Sequence, residues 1–309
     1  MFRLEGLIAA PFGTLHKDES LNFDIIPRYI DHLVKRDVRG LFVCGSTGEG
    51  PSLSFREKKQ VIEKWGAAST GSMKKIAMTG GTSVAECMEL ATLAAEYHYD
   101  AVAVCAPYYY KPLSLTQAVD FCLAVGRGVP GMPLYYYHIP FFTGTNFSML
   151  AFLQAIDNKL PSFRGIKFTH ENLMDYKLCL DFENGKYDIL WGRDEILLSA
   201  LVLGAKGFIG STYNFIAPLY HRAMSAFHRG DMQSAAAVQA QVMQIVHLIG
   251  KYGGLAAQKY MMRLAGIDCG PVRLPLQNLQ ASAMKALETD LRETVFFDSV
   301  SPFTGKVIL

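Results

Sequence analysis

Long apolar runs are what this sequence most plainly lacks. The most apolar stretch, around "ILLSALVLGA", is closed by Glu195 and Lys206. That is too short for a bilayer-spanning helix. The N-terminal "MFRLEGLIAAPFG" has no long apolar core followed by a small-residue cleavage site and reads as a strand. A soluble, cytoplasmic protein is expected. Charge is also scarce. Charged residues make up 19% and the formal net charge is +2, with no long basic run to face a nucleic acid. None of the six cysteines (Cys44, Cys87, Cys105, Cys122, Cys179 and Cys269) belongs to a C-x-x-C pair, and most sit in apolar segments. Buried reduced thiols are expected. No H-x-H or H-E-x-x-H pattern occurs, so neither a metal nor another cofactor is expected.

What the sequence has is periodicity. Half of its 309 residues are hydrophobic, enough for a large core. Short apolar or β-branched runs recur: "GLIAAPF", "GLFVCG", "KIAMTGG", "DAVAVCAPYY", "PLYYYHI", "RGIKFT", "YDILWG" and "GFIGST". Helical period fills the gaps. "FDIIPRYIDHLVKRD" puts Ile26, Tyr29, Ile30 and Leu33 on one face, and "SVAECMELATLAAEYH" does so with Val84, Cys87, Leu90, Ala91 and Ala94. Further helices are expected in "FSMLAFLQAID" and "DEILLSALVLGA". Eight strands alternating with helices predict an α/β protein with a closed (β/α)₈ TIM barrel. An open doubly wound sheet is the runner-up, but the glycine-rich segment after the second strand lacks G-x-G-x-x-G. Beyond about residue 213 the pattern is helical, with a break at "GIDCGPVRLPLQ". The expected organisation is a barrel over residues 1–230 and a C-terminal helical extension over 231–309, packed as one unit.

Barrel active sites lie at the C-terminal ends of the strands. The second strand ends at Ser46 and Thr47, the fourth at Tyr108 to Tyr110, and the fifth at Tyr137 and His138. The sixth ends at Lys167 with Thr169 beyond, the seventh at Asp194 and Glu195, and the eighth at Ser211 to Asn214. A lysine carried out of a buried strand sheds its charge readily and becomes a nucleophilic amine. A lysine snorkelling to solvent is the plainer account of Lys167. Tyr137 can relay protons or simply pack. His138 reads as structural. "GSTGEG" offers backbone N–H groups and hydroxyls to a carboxylate, or is a tight turn, with Glu49 a structural loop residue. Asp194 and Glu195 open a helix as N-cap and first turn, or else accept hydrogen bonds from a polyol. "GSTYN" is a phosphate candidate with no nearby Lys or Arg in its segment.

Taken in order, these segments resemble the N-acetylneuraminate lyase family, within the pyruvate-dependent class I aldolases that include dihydrodipicolinate synthase. The resemblance spans nearly the whole chain. It implies that Ser46 and Thr47 in "GSTGEG" contact a pyruvate carboxylate, that Tyr137 in "YYYHIP" is the catalytic tyrosine, and that Lys167 in "GIKFT" is the Schiff-base lysine beside Thr169. "GRDE" is similar to a G-x-D-E motif, so Gly192, Asp194 and Glu195 hold a hydroxylated sugar tail, with Ser211 in the same pocket. "GPVRLPL" around Arg273 is similar to a superfamily C-terminal segment. The implied partners are small molecules (N-acetylneuraminate, pyruvate and N-acetylmannosamine), with no nucleic acid and no membrane. A homotetramer is implied too, with Tyr109 reaching a neighbour's site. The loop "HIPFFTG" carries Phe141 and Phe142 where dihydrodipicolinate synthase has an arginine for a second carboxylate. Phe142 and Arg193 both depart from the usual lyase pattern, which keeps a sister aldolase for another 2-keto-3-deoxy sugar acid in view. A silent sialic acid-binding protein is the third reading.

Overall fold

The computed structural model describes residues 3–300; residues 301–309, most of the tail whose role the sequence leaves open, lie outside the described residues. The eight runs become eight strands: β1 (Gly6–Ala9), β2 (Gly40–Val43), β3 (Lys74–Met78), β4 (Ala101–Cys105), β5 (Leu134–His138), β6 (Phe163–Phe168), β7 (Asp188–Trp191) and β8 (Gly207–Gly210). Each pairs in parallel with the next, and β8 returns to β1, closing the barrel. The fold is the (β/α)₈ barrel expected, not an open sheet.

Apart from Lys74, Lys75 and Arg164 near the strand starts, the strands are buried on both faces, which is why their sequences are nearly continuously apolar rather than alternating. Strand alternation sorts the side chains. One set fills the barrel interior, including Ile8, Phe42, Ile76, Ala103, Tyr135, Tyr137, Leu190 and Ile209. The other set faces the helices. Tyr136, for example, stacks on Phe152 with ring centroids 4.3 Å apart. The bottom of the barrel is closed by Asp188, whose carboxylate accepts from the Tyr135 hydroxyl at 2.8 Å and the Leu4 N–H at 2.9 Å. Gly165 is required there: a Cβ would stand 1.7 Å from the Asp188 carbonyl oxygen.

Several of the surrounding helices begin where a serine caps them. Ser54, Ser83, Ser114 and Ser148 each accept a backbone N–H of the first turn. The helix Ile26–Val34 buries Ile26, Tyr29, Ile30 and Leu33, and Val84–Glu96 buries Cys87, Leu90, Ala91 and Ala94, as the periodicity requires. After β5 a short turn of helix, Pro140–Thr143, precedes the expected helix, now Met149–Ile156. Helices Tyr213–His228, Met232–Lys251, Leu255–Leu264, Ala281–Arg292 and Phe296–Ser299 follow β8, with an irregular stretch between the third and fourth of these. No helix among the described residues is long and apolar enough to cross a membrane. All six cysteines are free and buried, and burial pushes their thiols up.

Candidate active site

The register between β5 and β6 sets Tyr137 directly beside Lys167. Both point into the barrel. The Lys167 amine lies 3.8 Å from the centroid of the Phe42 ring and 4.0 Å from that of Tyr137, and those two rings meet edge to face. Lys167 is 4% exposed and is therefore not snorkelling to solvent. Burial lowers its pKa to about 7, against the opposing pull of Asp194. Near neutral pH the amine and ammonium forms coexist, which suits a nucleophilic amine.

The same burial raises Tyr137, so its phenol keeps its proton; the hydroxyls of Ser46 and Thr169 oppose part of that rise. The β2 loop, the end of β5 and the end of β6 therefore meet at one phenol. The Thr169 hydroxyl is buried and faces the Tyr137 phenol. It occupies the space over Gly192, where a Cβ would stand 1.9 Å from it.

Asp194 is buried, and it does not cap a helix as the sequence suggests. It sits in a 3₁₀ turn, Asp194–Ile196, whose N-cap is Arg193, with no side-chain cap. Its carboxylate instead turns inward and accepts from the Thr212 N–H at 2.9 Å and the Thr212 hydroxyl at 2.7 Å. Burial raises its pKa to about 6. The other carboxylate oxygen has no hydrogen-bond partner among the described residues. Gly210 makes room for it, since a Cβ there would be 1.7 Å away. Glu195 stands apart from this interior cluster, at the barrel rim. Arg193 pairs with it at 2.9 Å and also with Glu171.

Other candidates fall into place less centrally. Ser46, Thr47 and Ser211 are part-exposed at the strand ends, as expected. Asn214, named in the phosphate candidate, is instead fully buried and occupied: it accepts from the Tyr29 hydroxyl and donates to the Ala10 and Ser211 carbonyls. His138 is buried against Phe168 and His170, and burial lowers it to about 3, in keeping with a structural residue. Phe141 and Phe142 are exposed and pack on each other, as do Tyr109 and Tyr110. Sequence reasoning missed Phe42. Its signal is only its place in β2, two residues before the loop and on the inward set. It also missed the Arg193–Glu171 pair, which joins residues 22 positions apart.

The model of the dihydrodipicolinate synthetase family matches residues 3–294. The N-acetylneuraminate lyase of Mus musculus is 37% identical, covering 98% of this chain and 97% of that protein. Among solved structures, Proteus mirabilis N-acetylneuraminate lyase superposes with a TM-score of 0.92 at 37% identity, covering 96% of this chain and 100% of that one. The sialic acid aldolase of Aliivibrio salmonicida also gives 0.92, at 35% identity, with 96% and 98% covered.

Proposed function

The chain belongs to the dihydrodipicolinate synthetase family, and we propose that within it this enzyme is an N-acetylneuraminate lyase. It cleaves N-acetylneuraminate reversibly to pyruvate and N-acetylmannosamine. The observation that carries this reading is the Lys167 amine, buried between Phe42 and Tyr137 and lowered to about 7. The likeness to lyases of this name over nearly the whole chain supports the choice of substrate.

In the proposed mechanism the neutral amine of Lys167 attacks the C2 ketone of the open-chain sugar acid. Loss of water gives an iminium. When C3–C4 breaks, its electron pair passes into the iminium to form an enamine, and C4 becomes the aldehyde of N-acetylmannosamine. Tyr137, held protonated, relays the departing C4 hydroxyl proton through the substrate carboxylate rather than acting as a phenolate base. Protonation of C3 and hydrolysis then release pyruvate and free Lys167. Ser46 and Thr47 hold the carboxylate. Thr169, Asp194, Glu195 and Ser211 receive the hydroxylated tail, and Gly192 leaves the room that Thr169 needs. The reaction involves small molecules alone. The homotetramer and the cytoplasmic location belong to the same proposal. Tyr109, 77% exposed in the single chain, is suited to meet a neighbouring subunit.

The test is borohydride trapping with pyruvate, read by peptide mass spectrometry. A reduced pyruvyl adduct on Lys167 is expected, and none in Lys167→Arg, because guanidinium does not deprotonate. Bound pyruvate without an adduct would leave a protein that binds without turnover. The engagement of Glu195 by Arg193 favours a second reading, a sister aldolase for another 2-keto-3-deoxy sugar acid. A substrate panel separates the two.

A further inference from the structure

The loop expected to hold the pyruvate carboxylate is not held by the barrel alone. Within "CGSTGEG" two non-glycine residues have positive φ, Cys44 at 63° and Glu49 at 57°. Such conformations are costly for side-chain-bearing residues and persist where surrounding contacts fix them. At Glu49 the side chain supplies such contacts. Its side chain is 3% exposed and forms an ion pair at 2.5 Å with Lys259, itself 3% exposed, from the helix Leu255–Leu264. The Lys259 amine also donates to the Pro271 carbonyl at 2.6 Å, and the second Glu49 oxygen accepts the Arg273 N–H at 3.1 Å. Arg273 then reaches the helix that follows the loop, donating to Glu57 at 2.6 Å and to the Glu19 carbonyl. The C-terminal end of the loop and the helix after it are thereby fastened to residues 259–273. Gly13, beyond β1, packs beneath: a Cβ there would stand 3.0 Å from the Gly48 carbonyl oxygen.

We infer that Lys259 and Glu49 are positioning residues for pyruvate capture, through which the C-terminal extension sets the shape of the carboxylate-binding loop. The inference rests on the aldolase reading above. The geometry gives it a physical reason. Removing one partner of a buried ion pair leaves the other charge uncompensated, and Glu49 would then turn toward water. That movement passes directly to Ser46, whose carbonyl accepts the Glu49 N–H at 3.1 Å. Lys167 lies on β6, outside this network, so the amine itself is left in place.

The experiment is pyruvate-dependent trapping on Lys167 in the full chain, giving a half-saturating pyruvate concentration and a limiting rate. Lys259→Met is expected to raise the half-saturating concentration about tenfold or more, with the limiting rate within about threefold of the parent. Lys259→Arg, which keeps the charge, is expected to recover most of the loss. A folded Lys259→Met with unchanged half-saturation overturns the inference. Hydrogen exchange on the unmutated protein provides a measurement independent of whether variants fold. Pyruvate is expected to slow exchange in the peptides around both 44–53 and 259–273. Protection confined to the first overturns the inference. If the unmutated protein forms no adduct, the aldolase reading fails. If it forms one and these readouts do not move, only the positioning role fails.

Discussion

An ammonium loses most of its hydration when its side chain points into a barrel, and Lys167 has only ring faces in return. Two aromatic faces within 4.0 Å attract a cation, and Asp194 does so at longer range, yet burial outweighs both and the pKa falls to about 7. The sign of the pH dependence follows. In the proposed mechanism the reactive form is the neutral amine, so capture of pyruvate should strengthen as pH rises through about 7. Asp194, raised to about 6, is ionised above that value and protonated below it, which puts its loss on the same acid side. His138, lowered to about 3, stays neutral across this range and adds no limb. Tyr137, raised by burial, keeps its proton and adds none on the basic side near neutrality. The trapping rate at fixed subsaturating pyruvate should therefore climb between pH 5.5 and 8 and then level. A flat profile would mean that the amine is not desolvated in solution.

At the scale of elements, the closeness of neighbouring strand ends fixes which residues share the mouth of the barrel. Gly210 shows how little slack there is. Its φ is not positive, so alanine fits its backbone, but the new methyl would displace the Asp194 carboxylate from its two bonds to Thr212. Gly210→Ala should leave the Lys167 adduct forming with pyruvate while lowering turnover of N-acetylneuraminate about tenfold or more, since the proposed sugar-tail contacts are disturbed directly and Lys167 loses only the longer-range pull of Asp194. Equal losses in both assays would instead mean that β8 had shifted as a whole. The strand ends themselves were legible, because buried parallel strands leave unbroken apolar runs and each run stops at polar residues. Lys167 and Tyr137 stood out for that reason. In the sequence Asp194 is open between a polyol contact and an N-cap, because an acid ahead of an apolar helical segment fits either. Phe42 was invisible as a site residue, since an aromatic in a strand is ordinarily core. Nothing local marks the Glu49–Lys259 pair either: its partners are 210 residues apart and meet only once the C-terminal helices fold back.

Over the whole molecule, the proposed chemistry and the packing that holds the floor lie at opposite ends of the barrel. The top carries the lysine, the phenol and the inward acid. The bottom carries Asp188, which ties β7 to Tyr135 on β5 and to the Leu4 backbone ahead of β1. This carboxyl is buried, and desolvation raises its pKa, so its two hydrogen bonds offset part of the cost of keeping it inside. Removing it strands a buried hydroxyl and a buried N–H, each worth about 1–3 kcal/mol when unsatisfied. Asp188→Ala should destabilise the fold by about 2–5 kcal/mol, seen as a lower unfolding midpoint, because both donors lose their acceptor and a small cavity opens. The kcat measured well below that midpoint should stay near the parent value. Asp188 lies at the opposite end of β7 from the strand end that leads to Asp194, and the Lys167 environment is built from β2, β5 and β6 rather than from the floor. A large fall in kcat at a temperature where the variant is fully folded would show that the floor sets the height of the strands at the mouth, and the separation between the two ends would not hold.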